Sequence, residues 1–208
     1  MRHSQLIKLS CCLYLLSIKA GIAAEHALPI LQPGLPITLN AESSDFDYES
    51  SRLIFRGLQL EQGELFIKAN IAETDKLNFA DGVWNFSGDV FVKTAAASLY
   101  CDTAVLRFIN HRLASAELTG NPARFEQRLE ESEDINTGEA GRMIYQLDKG
   151  ILELQQNARF ADGTNEISGD LITYDVVGRN LSAGSGDSGP VKILIEPPEK
   201  QNQATQNQ

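Results

Sequence analysis

An all-β sandwich or roll is the fold class that this sequence predicts, and two observations carry that prediction. Apolar and polar residues alternate in short segments across residues 37–195, and a period of two places one row of side chains on each face of a strand. Turn-forming Gly, Asn, Asp and Pro residues recur between these segments at strand-like intervals. Helical spacing is hard to find in the same region, so we predict strands throughout it.

Taken in chain order, the alternating segments define the candidate strands. Their apolar positions are Ile37 and Leu39; Leu53 and Phe55; Leu65, Ile67, Ala69 and Ile71; Trp84 and Phe86; Val90 and Val92; Ala123 and Phe125; Leu152 and Leu154; Ala158 and Phe160; and Val191, Ile193 and Ile195. The turns predicted to separate strands are Asp81-Gly82, Gly88-Asp89, Gly120-Asn121, Lys149-Gly150 and Asp162-Gly163.

A repeat becomes visible when the segments are aligned on their turns. Four segments place a turn before an apolar alternating strand, and they begin at Gly57, Gly88, Gly120 and Gln156. Their starts are 31, 32 and 36 residues apart. One such unit cannot bury its apolar face alone, so we expect neighbouring units to cover it and the sheet to grow by repetition.

The charge balance argues against several classes of protein. The 208 residues carry 18 Lys and Arg against 28 Asp and Glu, for a formal net charge of −10. Binding to nucleic acid requires clustered basic residues to neutralise phosphates, and no basic stripe is present. The hydrophobic content of 42% is too high for a wholly disordered chain.

The first residues have the pattern of an export signal. Arg2 and Lys8 precede an apolar stretch at 9–18, and small residues follow it at the predicted cleavage site. Cys101 would be the single cysteine after cleavage, and its alternating context predicts a buried strand position. We divide the chain into a signal peptide (1–24), a Pro-containing N-terminal lead (25–35), a β-rich domain (36–196) and a disordered polar tail (197–208).

No reactive constellation is found. The segment at 186–190, Gly-Asp-Ser-Gly-Pro, looks like the nucleophile segment of trypsin-like proteases, but that family has two glycines before the proline. The histidines after the signal, His26 and His111, offer no base for a triad and no paired metal-ligand spacing. The acidic run at 130–134 is typical of a solvated loop. We therefore predict a protein that is not an enzyme, with no cofactor and no metal.

The two ends of the predicted sheet are candidate docking edges. Unless the sheet closes, its first and last strands leave backbone donors and acceptors that another strand can meet. Prolines flank both strands and either guard them or hold them extended for a partner, and the residues alone leave both interpretations open. The edge residues are Ile37, Thr38, Leu39, Asn40, Val191, Lys192, Ile193, Leu194 and Ile195.

Several motifs, in order, resemble the OstA-like family of periplasmic lipopolysaccharide-export proteins. They are Pro36-Ile37-Thr38-Leu39, Phe86-Ser87-Gly88-Asp89-Val90, Gly120-Asn121-Pro122-Ala123-Arg124-Phe125, Gly138-Glu139-Ala140 with Met143-Ile144-Tyr145, Leu152 to Ala158, and Ile167 to Tyr174. The match spans residues 36–195 and is most specific at 120–174. Gln156 departs from it, because the family usually has glycine there. The region between Leu39 and Gly120 is about one repeat longer than the usual pattern.

The resemblance implies a fold, a ligand and partners. The fold is a twisted open β-jelly roll of stacked antiparallel strands that carries lipopolysaccharide acyl chains in its apolar interior. Members join end to end by strand pairing, with an LptC-like inner-membrane component at one end and an LptD-like outer-membrane component at the other. The implied location is the periplasm of a Gram-negative bacterium. Because this chain is acidic, we expect affinity for the anionic lipid to come from burying methylenes, at about 0.8 kcal/mol each.

Eight inward positions are the candidate lipid-lining residues under this interpretation. They are Ile37, Leu39, Phe55, Phe86, Val90, Val92, Phe125 and Phe160. The alternative is that the same side chains fill a closed core. Two other classes of function stay open. One is an exported scaffold whose edges assemble without any lipid. The other is an acid-rich hydrolase, but the alternation places no paired carboxylates on an inward face, which argues against it.

Overall fold

The computed structural model describes residues 35–76, 81–95, 97–110, 112–128, 135–163, 165–175, 178, 180–186 and 189–195. Within these ranges the chain forms twelve β-strands. They are β1 (Thr38–Asn40), β2 (Ser43–Asp47), β3 (Arg52–Gln62), β4 (Leu65–Thr74), β5 (Gly82–Lys93), β6 (Ala97–Ile109), β7 (Arg112–Arg128), β8 (Ile135–Gln146), β9 (Ile151–Asp162), β10 (Asn165–Asp175), β11 (Asn180–Gly184) and β12 (Lys192–Leu194). No helix long and apolar enough to cross a membrane occurs among the described residues. The predicted signal peptide, the lead up to residue 34, the acidic run and the polar tail lie outside them.

All twelve strands belong to one antiparallel sheet that hairpins build in chain order. From β3 to β11, each strand pairs with the next strand along the chain. β1 and β2 both pair with β3 and form one edge, whereas β11 and β12 both pair with β10 and form the other. No pairing joins the two edges within the described ranges. The prediction of an all-β, open sheet of antiparallel strands is therefore confirmed.

A line of bulges crosses the middle of the sheet, and we call it the bulge line. It is made of the register shifts between Lys68 and Ile71, Ser87 and Val90, Tyr100 and Thr103, Thr119 and Ala123, Glu139 and Arg142, and Gly169 and Leu171. A bulge adds unpaired residues to one strand and bends it. Because the shifts occur at mid-strand in consecutive pairs, the whole sheet bends along one line.

Four of the predicted turns are wrong, because they are parts of long strands at the bulge line. Gly57 lies within β3, Gly88-Asp89 within β5, Gly120-Asn121 within β7 and Gln156-Asn157 within β9. Gly57, Gly88, Asp89, Gln156 and Asn157 have positive φ angles, which Gly, Asn and Asp adopt at the least cost. The sequence repeat of 31 to 36 residues is therefore one pair of long strands, marked by its bulge. Lys149-Gly150 and Gly163 do lie in connections between strands, as predicted.

The bulge line also corrects the predicted inward row of β4. Leu65, Ile67 and Ala69 are buried as predicted, but Ile71 is 38% exposed. The register shift after Lys68 reverses the alternation, so Ala72 points inward in place of Ile71. A simple period of two cannot anticipate this reversal, because it assumes an unbroken strand.

The bend folds the sheet so that its inner face meets itself. The rings of Phe160 and Tyr174 have centroids 5.4 Å apart. Phe160 pairs with Ile167, which is seven residues from Tyr174, and this spacing is roughly 23 Å along an unbent strand. The two rings can touch only if the strand halves on either side of the bulge line face each other. The result is a two-layered roll with one interior.

The interior contains one hydrophobic cluster drawn from every long strand, β3 to β10. Its largest fully buried side chain is Trp84, which stacks on Phe55 and Phe86 at centroid distances of 6.1 and 6.0 Å. Ile37 and Leu39, near the first edge, pack against the cluster while staying partly exposed. Burial of this apolar surface is the main force that stabilises the fold.

Candidate functional site

One layer of the interior carries a continuous apolar row across ten strands, and we call it the first inner row. Each member is paired with the next in the strand register. The row consists of Leu39, Leu60, Ile67, Val92, Leu99, Phe125, Gly138, Phe160, Ile167 and Ile193. At about 4.8 Å between strands, the row extends for about 43 Å across the sheet. Four of the candidate lipid-lining residues, Leu39, Val92, Phe125 and Phe160, belong to it.

The other layer carries a second inner row on the far side of the bulge line. It consists of Phe55, Ala72, Phe86, Ala104, Leu118, Met143, Leu154, Ile172 and Ala183, paired strand by strand. All but Ala183 are less than 9% exposed. Neither inner row contains a charged or polar side chain, so the space between the layers suits hydrocarbon.

The structure brings all eight candidate lipid-lining residues to this single interior. Phe55, Phe86, Val90, Val92, Phe125 and Phe160 are 2–8% exposed, whereas Ile37 and Leu39 are half-buried. Tight burial of this kind fits a packed core as well as a lipid path.

The first inner row is less buried at its two ends than in its middle. At one end the first inner row finishes at the half-buried Leu39 of β1. At the other end it finishes at Ile193 of β12, which is 62% exposed although its register partner Ile167 is only half-exposed. An apolar row that stays uncovered at its last strand is a surface for further apolar contact.

The candidate edge residues lie at these ends. Thr38, Leu39 and Asn40 form β1, and Ile37 directly precedes it; Lys192, Ile193 and Leu194 form β12, between Val191 and Ile195. Sequence reasoning missed the other half of each edge, which is β2 (Ser43–Asp47) at one end and β11 (Asn180–Gly184) at the other. Each has a single large apolar residue, Phe46 or Leu181, and so lacks the alternation that identified the longer strands.

The N-terminal edge is held to the sheet by polar contacts. Arg56 of β3 donates to Asp45 of β2 at 2.8 Å, and the Glu42 amide donates to the Arg56 carbonyl at 2.9 Å. In the turn after β2, the Asp47 carboxylate accepts hydrogen bonds from the Ser50 hydroxyl and from two backbone amides, which lowers the pKa of Asp47. These contacts are exposed and position the strand without closing the interior.

Charged side chains occupy the outer face, where they pair across neighbouring strands. Arg142 donates to Glu117 at 2.7 Å and to Gln155 at 3.1 Å. The hydrogen bond from Arg142 lowers the pKa of Glu117, and the same bond raises the pKa of Arg142. Ion pairs as exposed as this one contribute little to stability. These ion pairs keep the charged side chains on the outer face, so the interior stays apolar.

Groups that could support catalysis are not assembled in the described residues. Cys101 is buried in β6, and this burial, with the nearby Asp102 charge, raises the pKa of its thiol to about 12. At neutral pH the thiol is therefore protonated and a poor nucleophile. No cluster of three or more His, Cys, Asp or Glu side chains that could hold a metal ion occurs in the described part of the chain.

Comparisons with known proteins are consistent with this architecture. Residues 67–178 match the family described as LptA/(LptD N-terminal domain) LPS transport protein. The lipopolysaccharide export system protein LptA of Haemophilus influenzae is 28% identical over 129 residues, which cover 60% of this chain and 74% of that protein. The LptA of Escherichia coli K12 is 25% identical over 139 residues, which cover 66% and 75%.

A solved structure has the same fold. It is the crystal structure of LptH, the LptA-homologous periplasmic component of the conserved lipopolysaccharide transport device from Pseudomonas aeruginosa. The two structures superpose with a TM-score of 0.51 at 18% identity, over 78% of this chain and 96% of that chain. At this identity the likeness concerns the fold, and it is consistent with the predicted twisted jelly roll.

Proposed function

Because this chain belongs to the LptA/(LptD N-terminal domain) family of lipopolysaccharide transport proteins, we propose that it is a periplasmic bridge that carries lipopolysaccharide with the acyl chains between its two inner rows. The observation that carries the proposal is the first inner row. It is apolar in every one of ten strands and ends at apolar residues that are partly or largely exposed. The exposure of its last residue, Ile193, supports an interior that stays open at this edge.

The energetics of such a carrier follow from its lining. Each methylene that moves from water to the interior contributes about 0.8 kcal/mol. The saccharide and its phosphates stay in water, since the interior offers them no polar partner along either inner row. Transport of this kind makes and breaks no covalent bond, so we propose that the protein is not an enzyme and uses no cofactor.

Photo-crosslinking in cells tests the lipid path. A photoreactive residue at Phe125 or Leu39 is expected to form adducts with lipopolysaccharide, because both positions belong to the first inner row. The same probe at Arg124 is the matched control, since Arg124 precedes Phe125 in β7 and lies on the exposed outer face. Absence of adducts at both inner positions, with assembly intact, would favour the scaffold over the carrier.

We also propose that the two open edges join this chain to its partners by strand pairing. An LptC-like inner-membrane component would pair at one edge and an LptD-like outer-membrane component at the other, and a second copy of this chain could extend the bridge. Two features support this proposal. Each edge has backbone groups facing away from the sheet, and Ile193, Leu194 and Ile195 leave 47–72% of their surface exposed beside one of them.

A charge introduced at the C-terminal edge tests this pairing. We expect Ile193→Asp to weaken end-to-end association by at least about tenfold, because a carboxylate would have to be desolvated in the joint. Ile109→Asp is the matched control, since Ile109 is 49% exposed and lies at the end of the central strand β6. Sedimentation equilibrium across a concentration series measures the effect. Equal association constants for the two variants would contradict the proposed edge.

A further inference from the structure

Three polar side chains are buried among the described residues, and they are Gln62, Thr74 and Asn136. Asn136 of β8 lies on the inner face with Gly138 and Ala140, and it is 4% exposed. It sits one step beyond the first inner row, toward the strand ends. Asn136 pairs with Gln127 of β7 and with Asp162 of β9, and Asp162 pairs in turn with Asn165 of β10. Gln127 is half-buried, whereas Asp162 and Asn165 are exposed. The interior therefore changes from apolar to polar at this rim.

The amide oxygen of Asn136 is buried, and no group in the described part of the chain donates a hydrogen bond to its Oδ1 atom. Most buried polar atoms in folded proteins have partners, and each exception calls for an explanation. Gln62, at the same end of the strands, offers the contrast: it is equally buried, and its amide donates to the Leu35 carbonyl at 3.0 Å. The buried amide at the first edge is thus satisfied by the protein, whereas that of Asn136 presents an acceptor to the interior.

We propose that Asn136 Oδ1 accepts a hydrogen bond from the bound lipid at the point where an acyl chain meets its polar end. This inference rests on the proposed function, because it takes the interior as the acyl path. The matching chemistry is a single donor at the head of a hydrocarbon chain, which is either a hydroxyl on the chain or the N–H of an amide that links the chain to a sugar. With that bond made, the chain extends from the rim into the first inner row, and the saccharide lies outside with Asp162 and Asn165.

The arrangement has a consequence for stability and binding that a purely structural asparagine would not have. Removing an unsatisfied buried acceptor and replacing it with an apolar group of similar size relieves a desolvation cost in the empty protein. The same change removes the partner of the lipid donor. Asn136→Leu should therefore raise stability and lower affinity at once.

The test measures both quantities on the full chain after export. For Asn136→Leu we expect the apparent melting temperature without lipid to rise by about 2–4 °C. The dissociation constant for lipopolysaccharide should rise by about tenfold. Gln62→Leu is the matched control, and it should lower the melting temperature because it leaves the Leu35 carbonyl without its donor. Should Asn136→Leu fail to fold, Asn136→Ala removes the same acceptor without added bulk and serves for the affinity measurement.

Simple amphiphiles identify the donor. We expect N-myristoyl-glucosamine or 3-hydroxymyristate to lose affinity in the variant, and which of the two does so distinguishes the amide from the hydroxyl. Myristate, which has no donor on its chain, should bind both proteins alike. If the wild-type protein binds lipopolysaccharide and the variant binds it equally well, the proposed role of Asn136 is wrong, but the proposed carrier function is not affected. If the wild-type protein binds none of these lipids, the proposed carrier function is itself wrong.

Discussion

Replacing Trp84 with alanine is expected to lower the free energy of unfolding by about 3–5 kcal/mol, the range for deleting a fully buried large aromatic side chain. Trp84 is 0% exposed and stacks between Phe55 and Phe86 with interplanar angles of 12° and 18°. No other side chain in the described core is both as large and as fully buried. Its loss would leave a cavity beside the rings of Phe55 and Phe86. Urea titration followed by fluorescence of the remaining aromatic residues and by circular dichroism measures the change.

Tyr48→Ala is the matched control for this substitution. Tyr48 is also aromatic, but it is 84% exposed in the turn after β2 and touches only the ring of Phe46 among the described aromatic contacts. We expect its removal to change the free energy of unfolding by less than about 1 kcal/mol. Similar losses for the two variants would contradict the view that the layer containing Trp84 is a packed core.

Gly138→Ala is the second substitution with a large expected effect. Gly138 lies in the first inner row, between Phe125 and Phe160 in the strand register. A Cβ at this position would meet the Phe125 ring, with only 2.7 Å to its Cδ1 atom. Because φ of Gly138 is not positive, the backbone itself tolerates alanine and the cost is steric. We expect a loss of about 1–3 kcal/mol, as for other overpacked cores.

Two further variants isolate this steric cause. Gly184→Ala is the matched control, because its Cβ would meet only the Leu171 carbonyl oxygen at 4.0 Å, and a strand glycine without such a clash gains stability on becoming alanine. Combining Gly138→Ala with Phe125→Leu should recover part of the loss, with a coupling energy of at least about 0.5 kcal/mol. Strict additivity in denaturant unfolding would show that the ring and the glycine are not in contact.

Gly138 also bears on transport. The Phe125 ring fills the space that a side chain at this position would take, and it lies against the Phe160 ring at a centroid distance of 6.3 Å. In the proposed carrier, an acyl chain that starts at Asn136 would pass beside this pair of rings into the interior. The position therefore joins the packing of the fold to the rim that we propose recognises the lipid.

The local pattern of the sequence was enough to identify most strands and the side chains that point inward. Phe55, Phe86, Phe125 and Phe160 were placed inward by alternation alone, and each is buried. The reason is that a strand alternates its faces strictly, so an apolar residue at every second position marks the inner face wherever the strand is unbroken. The predicted turns at Gly57, Gly88 and Gly120 lie within strands instead. Gly57 and Gly88 have positive φ angles, and such a glycine looks alike in a hairpin turn and in a bulge until the neighbouring strand is known.

What the sequence by itself determined is the chemistry of each face: alternating segments, an acidic exterior and an apolar interior. Tertiary structure alone decided how those faces meet. At the bulge line the alternation reverses, so Ile71 is exposed, and the bend there places Phe160 against Tyr174. The short strands β2 and β11, whose sequences show no alternation, complete the two edges of the sheet. The burial of Asn136 likewise depends on its neighbours in the register, Gln127 of β7 and Asp162 of β9. Each of these features depends on register between segments distant in sequence, and a period-two pattern records which way a side chain points but not what it will face.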